Sequence, residues 1–337
     1  MKVWQIQSFG IDNLVLADTP KPQPGRGEVL VKVHAVSLNY RDLLMVAGHY
    51  NPKLAMPRIP CSDGAGEVIA VGEGVDVVKV GQRVAGIFMQ NWLDGPPTAE
   101  RSRGALGGDI DGMLAEYVVL AQTGVVVLPE HLSYAEAATL PCAAVTAWNA
   151  LRHAAKVGPG DVVVIQGTGG VSIFALQFAK MMGATVLGTS SSDEKLARAM
   201  TLGLDAGFNY RQSPDWAKWV LRETHNRGAD LVVEVGGAAT FAQSVQAVRF
   251  GGTVAQIGVL SQSDQSLPIA TILHRQVKVQ GIYVGSRAHF EEMNRAITAN
   301  RTQPVVDRMF LFTEVREALK ALQGGYHFAK IVIQVVT

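Results

Sequence analysis

The chain has 337 residues, more than a single hydrophobic core usually organises, so two domains are expected. Hydrophobic residues make up 48% and charged residues 18%, which excludes a disordered chain, and a formal charge of +1 gives no footprint for nucleic acid or an anionic membrane surface. No apolar run is long enough to span a bilayer and no basic-then-apolar leader pattern opens the sequence, so a soluble, cytoplasmic protein is expected. Cys61 and Cys142 lie too far apart in sequence, and are too few, for a disulfide framework.

In chain order, Lys2–Gln7 reads as a strand, and Glu28–Ala35 (EVLVKVHA) alternates as a half-buried strand should. Gly64–Gly72 and Gly81–Ile87 read as further strands broken by glycine turns, giving a mostly β first domain over residues 1–125. Residues 90–112 are polar and rich in Gly and Pro without periodicity, and at that length they form either an active-site rim or a mobile lobe. Helical spacing begins at Tyr134 and runs to His153, interrupted at Pro141. Strands then alternate with helices: Asp161–Gln166, helix 172–182, Thr185–Thr189, helix 193–202, then strands near Phe208 and at Leu231–Val235, Thr253–Ile257 and Val279–Val284. Apolar strands separated by helices predict a parallel, doubly wound sheet over residues 126–286. An amphipathic helix, a second near Glu314–Leu322 and a closing strand Lys330–Val336 return the chain to the first domain, as residues 287–337.

The strongest local signal is the strand ending at Gln166 followed by Gly167-Thr168-Gly169-Gly170-Val171-Ser172. Gly167 permits the tight turn, Gly169 lets backbone approach a pyrophosphate, and the following helix points its first N–H groups at that charge. Ser172 stands where a third glycine is usual, a small residue that still allows close packing. About 20 residues further on, an NAD-binding fold usually carries an Asp or Glu for the ribose 2′-hydroxyl. Here the strand tip is Thr189-Ser190-Ser191-Ser192, with no carboxylate before Asp193. Hydroxyls at Ser190 and Ser191, with Lys195 a turn later and Tyr210 and Arg211 ending the next strand, predict the 2′-phosphate of NADPH. An ordinary serine helix cap with a surface lysine is the plainer alternative, and the acidic Asp193 and Glu194 fit it.

The order of parts, GAGEVIAVG, then Thr146-Ala147-Trp148, then the GTGGV loop, with Phe328-Ala329-Lys330-Ile331 near the end, resembles the medium-chain dehydrogenase/reductase superfamily along the whole chain. Ala329 departs from the glycine usual before that lysine. The resemblance implies a GroES-like catalytic domain around a Rossmann domain. It also implies cofactor contacts from Thr146, Val235, Ile257, Gly258, Val259, Tyr283 and Val284, and a homodimer paired through Val279–Val284. Zinc-dependent members carry Cys, His-Glu and a further Cys or Asp. The matching positions here are Asn39, Ser62-Asp63 and Cys142, and the 90–112 stretch lacks the four cysteines of a structural zinc lobe, so no metal is expected. Cys61 and Cys142 are expected as small core or cleft residues rather than metal ligands.

Asn39-Tyr40-Arg41-Asp42 and Gly48-His49-Tyr50 resemble the zinc-independent quinone oxidoreductase and enoyl reductase branch, and Asn209-Tyr210-Arg211 a segment beside its adenosine phosphate. The long 90–112 stretch is closer to zinc alcohol dehydrogenases. Hydride addition to an enone or quinone develops charge on oxygen, which needs a hydrogen-bond donor and a proton. Tyr50 and Asn39 are the candidates, Tyr50 either as donor to that oxygen or as a cofactor contact. Asp42 is expected to pair with a base or cap a helix, and is a poor proton donor unless its pKa is raised. Arg287 is expected at the surface. The expected activity is an NADPH-dependent reductase of quinones or activated C=C bonds acting on a small molecule. The alternatives are a carbonyl-reducing alcohol dehydrogenase of the zinc-containing type and an NADPH-binding protein with a structural or regulatory role.

Overall fold

Contacts divide the chain into two units, Met1–Val145 with Gly285–Thr337, and Thr146–Val284. The computed structural model describes residues 1–261 and 268–336. Among them no helix is long and apolar enough to cross a membrane.

In the first unit β1 (Lys2–Ile6) and β2 (Leu14–Asp18) pair antiparallel. The spine is β3 (Glu28–Ser37), which is flanked along its length by β4 (Asp63–Val71) and, over its first half, by a later strand, β6. The register of β3 with β4 sets Asp63 opposite Ser37, at the end where the chain leaves β3 for Leu38 and Asn39. β5 (Arg83–Gly86) extends the sheet beyond β4, β6 (Tyr117–Ala121) pairs with β3, and β7 (Val125–Val127) closes the edge against β5. Val29, Val31, Val33 and Val36 of β3 join Val68, Leu106, Met113 and Leu114 in the core of this unit.

The second unit holds β8 (Val162–Gln166), β9 (Thr185–Ser190), β10 (Ala206–Asn209), β11 (Ala229–Glu234), β12 (Val248–Gln256) and β13 (Lys278–Gly281). All pair in parallel in the order β10-β9-β8-β11-β12-β13, the doubly wound order expected of strands that read as apolar runs. Every residue of β11 is buried, which is why it shows no alternation. The expected strand Val279–Val284 is shorter in fact: ladder pairing ends at Gly281, and Val284 takes a left-handed backbone with φ 57°.

The chain returns to the first unit with helix Arg287–Asn300, β14 (Val306–Leu311), helix Val315–Gly324 and β15 (Lys330–Gln334), which inserts between β14 and β3. The first domain boundary corrects the sequence reading, which placed residues 126–145 with the nucleotide-binding half. β7 is hydrogen-bonded to β5, and helix Tyr134–Ala137 packs on β3 and β4, so this stretch belongs to the first unit. Pro141 marks the expected interruption as a wide turn, Leu140–Ala144. Arg287 is not the surface residue expected: it is largely covered and pairs with Glu291 at 2.9 Å.

Candidate active site

The nucleotide-binding half is built by the end of β8. Gly167 takes φ 67°, and Gly169 stands extended at the N-cap of helix Gly170–Met181. A Cβ added to either glycine would meet no atom within 4 Å. Packing within the protein therefore does not demand glycine at these two positions. What they leave is open space over the first N–H groups of Gly170, Val171 and the turn that follows, the cradle a pyrophosphate fills. Ser172 allows the close packing expected of a small residue. It is buried, and its hydroxyl donates to the Gln166 carbonyl at 2.6 Å, tying the helix to the strand it follows.

Two residues missed in the sequence organise this end of the sheet. Gln166 Oε1 accepts from the N–H groups of Val235 and Gly236 at 3.2 Å each, and its Nε2 donates to Glu234 at 2.8 Å. Glu234 is buried and accepts from Gly236 N (2.8 Å), Gly237 N (2.9 Å), Thr240 Oγ1 (2.7 Å) and the Ser244 hydroxyl. The loop after β8 and the loop after β11, which carries Val235, are thus one hydrogen-bonded unit. Their signal was a polar residue closing each of two apolar runs, Val162–Ile165 and Leu231–Val233. Ile257 and Gly258 join it through N–H bonds to the Glu234 carbonyl at 2.9 and 3.0 Å. A Cβ on Gly258 would fall 1.7 Å from Val235 O, so only glycine fits there.

At the tip of β9, Ser190 is buried and accepts from Ser192 N, and Ser192 caps helix Asp193–Thr201. Part of the plainer reading therefore holds for Ser192. Asp193 is committed to the next loop, accepting from Asn209 at 2.9 Å and Gln212 at 3.1 Å. Tyr210 donates its N–H to Ser190 O, which brings Tyr210 and Arg211 beside Ser190 and Ser191, and both are exposed. Lys195 is half-buried in the first turn of the helix. Thr146 is buried, Val259 and Tyr283 are exposed, and Val284 O accepts from Asn149 at 2.7 Å.

The catalytic half gathers around the start of helix Tyr40–Val46. Asn39 stands at its N-cap in an extended conformation, and its N–H donates to Asp42 Oδ2 at 2.8 Å, so Asp42 does cap a helix. The Arg41 guanidinium lies 3.9 Å from the other Asp42 oxygen, 4.7 Å over the Phe88 ring and 5.4 Å from the ring of Tyr50. Tyr50 is 40% exposed, on the loop that ends this helix. Arg41 also donates to Leu106 O at 2.8 Å, and Gly107, Gly108 and Gly112 pack where a Cβ would strike Cys61, Arg41 or Pro60. Residues 105–108 and Gly112 are therefore buried against this site, with 109–111 exposed between them, and close approach explains Gly107, Gly108 and Gly112.

The residue the sequence reading did not single out is Lys330. It is 3% exposed, and its ammonium donates to Asn39 Oδ1 and Leu38 O at 2.6 Å each. Ala329 before it has φ 59°, the left-handed conformation that makes glycine usual at this position. Asp63 is buried, and its two oxygens accept from Ser62 Oγ (2.7 Å) and Cys142 N (3.0 Å). Burial raises the Asp63 pKa, opposed by Lys330, Ser62, Asn39 and the Cys142 amide. Burial pushes Asp42 up to about 6 against the pull of Arg41. Burial and the neighbouring carboxylates push both thiols, Cys61 and Cys142, upward. The cluster is one ammonium and one guanidinium facing two carboxylates, with uncharged thiols.

Residues 25–130 match the family model "Alcohol dehydrogenase GroES-like domain", and residues 170–299 match "Zinc-binding dehydrogenase". The chain belongs to the medium-chain dehydrogenase/reductase superfamily. Members of this superfamily are oxidoreductases that bind a nicotinamide cofactor. The chain is 43% identical to a zinc-type alcohol dehydrogenase-like protein of Schizosaccharomyces pombe, over 97% of this chain and 96% of that one. It is 34% identical to a solved NAD-dependent alcohol dehydrogenase, with full coverage of both chains and a TM-score of 0.92. It is 26% identical to an acryloyl-coenzyme A reductase of Sulfurisphaera tokodaii, over 95% of this chain and 96% of that one.

The open cradle at Gly167 and Gly169 fits a nicotinamide dinucleotide. The donor set at the superfamily's zinc positions does not fit zinc. Asn39 Oδ1 already faces an ammonium, Ser62 spends its hydroxyl on Asp63, and the two Asp63 oxygens are taken by Ser62 and the Cys142 amide, which leaves Cys142 as a lone sulfur donor. Among the described residues no group of three or more His, Cys, Asp or Glu is placed to hold a metal ion.

Proposed function

We propose that this oxidoreductase is a cytoplasmic, NADPH-dependent reductase of an activated C=C bond or a quinone, working by hydride transfer without zinc. The observation that carries the reading is the Lys330 ammonium 2.6 Å from Asn39 Oδ1, at the position that is a zinc-binding cysteine in the metal-dependent branch. An amide held in place by a buried lysine stabilises charge on a substrate oxygen by hydrogen bonding, where zinc does so by coordination. Gly167–Val171 would hold the pyrophosphate, Ser190, Ser191, Lys195 and Tyr210 the adenosine end with its 2′-phosphate, and the backbone at Val235, Ile257–Val259, Tyr283 and Val284 the nicotinamide, with Thr146 beside it. Asp193 is taken up by Asn209 and Gln212, which supports the phosphate reading over a ribose diol. When bound, the nicotinamide would supply a hydride for the electron-poor carbon of the acceptor.

The π electrons of the acceptor then collect on its oxygen, where the Asn39 amide donates a hydrogen bond, and Tyr50 supplies the balancing proton, drawn in turn from solvent. A second reading, an alcohol dehydrogenase, is favoured by the names of the 43% and 34% identical proteins. Turnover of an enone with NADPH, measured beside the matching saturated ketone and beside NADH, separates the two. The expected result is faster enone reduction with NADPH, insensitive to chelation, and roughly 100-fold slower enone turnover in Tyr50→Phe. Preferred ketone reduction, or activity restored by added zinc after chelation, selects the second reading. We further propose a homodimer formed through β13, an edge strand whose four residues are all exposed.

A further inference from the structure

An asparagine at a helix N-cap ordinarily turns its side-chain oxygen back to the N–H groups of the first turn. Asn39 does not: it makes no side-chain cap bond, and the Asp42 N–H takes the Asn39 backbone carbonyl instead, at 2.9 Å. Its Oδ1 is given to Lys330. Lysine carries donors and no acceptor, so the Asn39 atom facing it is the oxygen, and Nδ2 must point the other way. The backbone of Asn39 is pinned by its own N–H bond to Asp42, and Lys330 is pinned by the pairing of β15 with β3 and by its second bond to Leu38 O. The amide therefore has one orientation. Asn39 is 9% exposed and its Nδ2 is buried; it reaches no acceptor in full hydrogen-bond geometry, and its one polar approach is a weak side-chain hydrogen bond to Asp63 that favours that group's charge. An amide nitrogen carries two protons, so one whose direction is enforced and which turns at most one of them to Asp63 keeps a donor for a ligand.

We propose that Lys330 is a positioning residue whose bond to Oδ1 holds the Asn39 amide with Nδ2 presented as the hydrogen-bond donor for a carbonyl or enolate oxygen. This rests on the reading of the site as one that stabilises charge on an acceptor oxygen. Its contribution is orientation, so an uncharged donor of similar reach should serve. Lys330→Gln keeps amide protons to offer Asn39 Oδ1 and Leu38 O, Lys330→Met keeps bulk and offers none, and Asn39→Ala removes the presented donor.

The test is binding of 4-nitrophenolate, a stable stand-in for the charged oxygen, to the full-length protein with NADP present, followed by absorbance. Asn39→Ala and Lys330→Met should each weaken binding at least tenfold, the double variant should be no weaker than either single, and Lys330→Gln should recover most of the loss. Equal weakening in Lys330→Gln and Lys330→Met, multiplied losses in the double variant, or no phenolate binding by the unmodified protein overturns the proposal. If Lys330→Met does not fold, the Asn39 side-chain amide resonance decides. It should shift on adding 4-nitrophenolate in the unmodified protein and in Lys330→Gln, and an unmoved resonance overturns the proposal. Failure of enone turnover alongside the expected phenolate pattern sinks the functional reading alone. Enone turnover with phenolate affinity indifferent to Asn39 sinks the positioning role alone.

Discussion

Asp42 combines a structural duty with an unusual titration. One oxygen caps the helix start through the Asn39 N–H, the other lies 3.9 Å from Arg41, and burial holds its pKa at about 6 against an ordinary 3.8. The folded state thus binds this proton more tightly than the unfolded chain does. Its stabilising contribution is complete below about pH 4 and is lost as pH rises through about 6. Asp42→Asn cannot ionise and keeps an oxygen for the Asn39 N–H. Its stability relative to the parent protein should rise by up to roughly 3 kcal/mol between pH 4 and pH 7 and then level off. Urea unfolding across that range measures the difference, and a difference that does not change with pH contradicts the raised pKa. At this scale Asn39, Tyr50 and Asp42 were legible because they sit within one short motif. Lys330 was not, because its partner lies 291 positions away and only the pairing of β15 with β3 brings them together. The packing role of Ser172 was legible from its size, but not the bond of its hydroxyl to a carbonyl six residues back.

Between elements, two glycines at strand ends do opposite jobs. A side chain at Gly169 would project into space, and one at Gly258 would collide with the Val235 backbone. Gly169→Val should therefore leave the melting temperature of the cofactor-free protein nearly unchanged while weakening cofactor binding tenfold or more. Gly258→Ala should destabilise the fold by about 1–3 kcal/mol through overpacking. Thermal melts with and without cofactor check both, and a large loss of stability in Gly169→Val would count against the open cradle. Strands carrying long apolar or alternating runs, β3, β8 and β11, were readable from pattern alone. β2, β6, β7 and β14 escaped notice because they are short or lie at edges, where partners rather than residue types decide strand formation. The same cause misplaced the first boundary, since the three residues of β7 join the first unit through one ladder with β5.

For the molecule as a whole, the exposed edge at β13 is the feature that assembly must answer. Val279 is its one large apolar side chain, exposed between Lys278 and Gln280. Val279→Lys should convert a dimer to monomers in sedimentation velocity without altering the secondary structure, and a dimer that persists places the interface elsewhere. The two-unit architecture and its parallel sheet were legible along the whole sequence, because the change from alternating strands to strand–helix repeats is a change of period. Which relatives' chemistry applies was not, since it turns on side chains contributed by both ends of the chain. Placing Lys330 in β15 also sets a timetable. At a synthesis rate of about 5–20 residues per second, the ribosome finishes Asn39 roughly 15–60 seconds before it makes the lysine that orients it. For the last part of that interval, about 2–9 seconds after Val284 is made, the nucleotide-binding unit has all its strands while β3 still lacks β15 along one side. Released chains that end near residue 300 should accordingly bind NADPH without reducing anything, having no finished place for substrate.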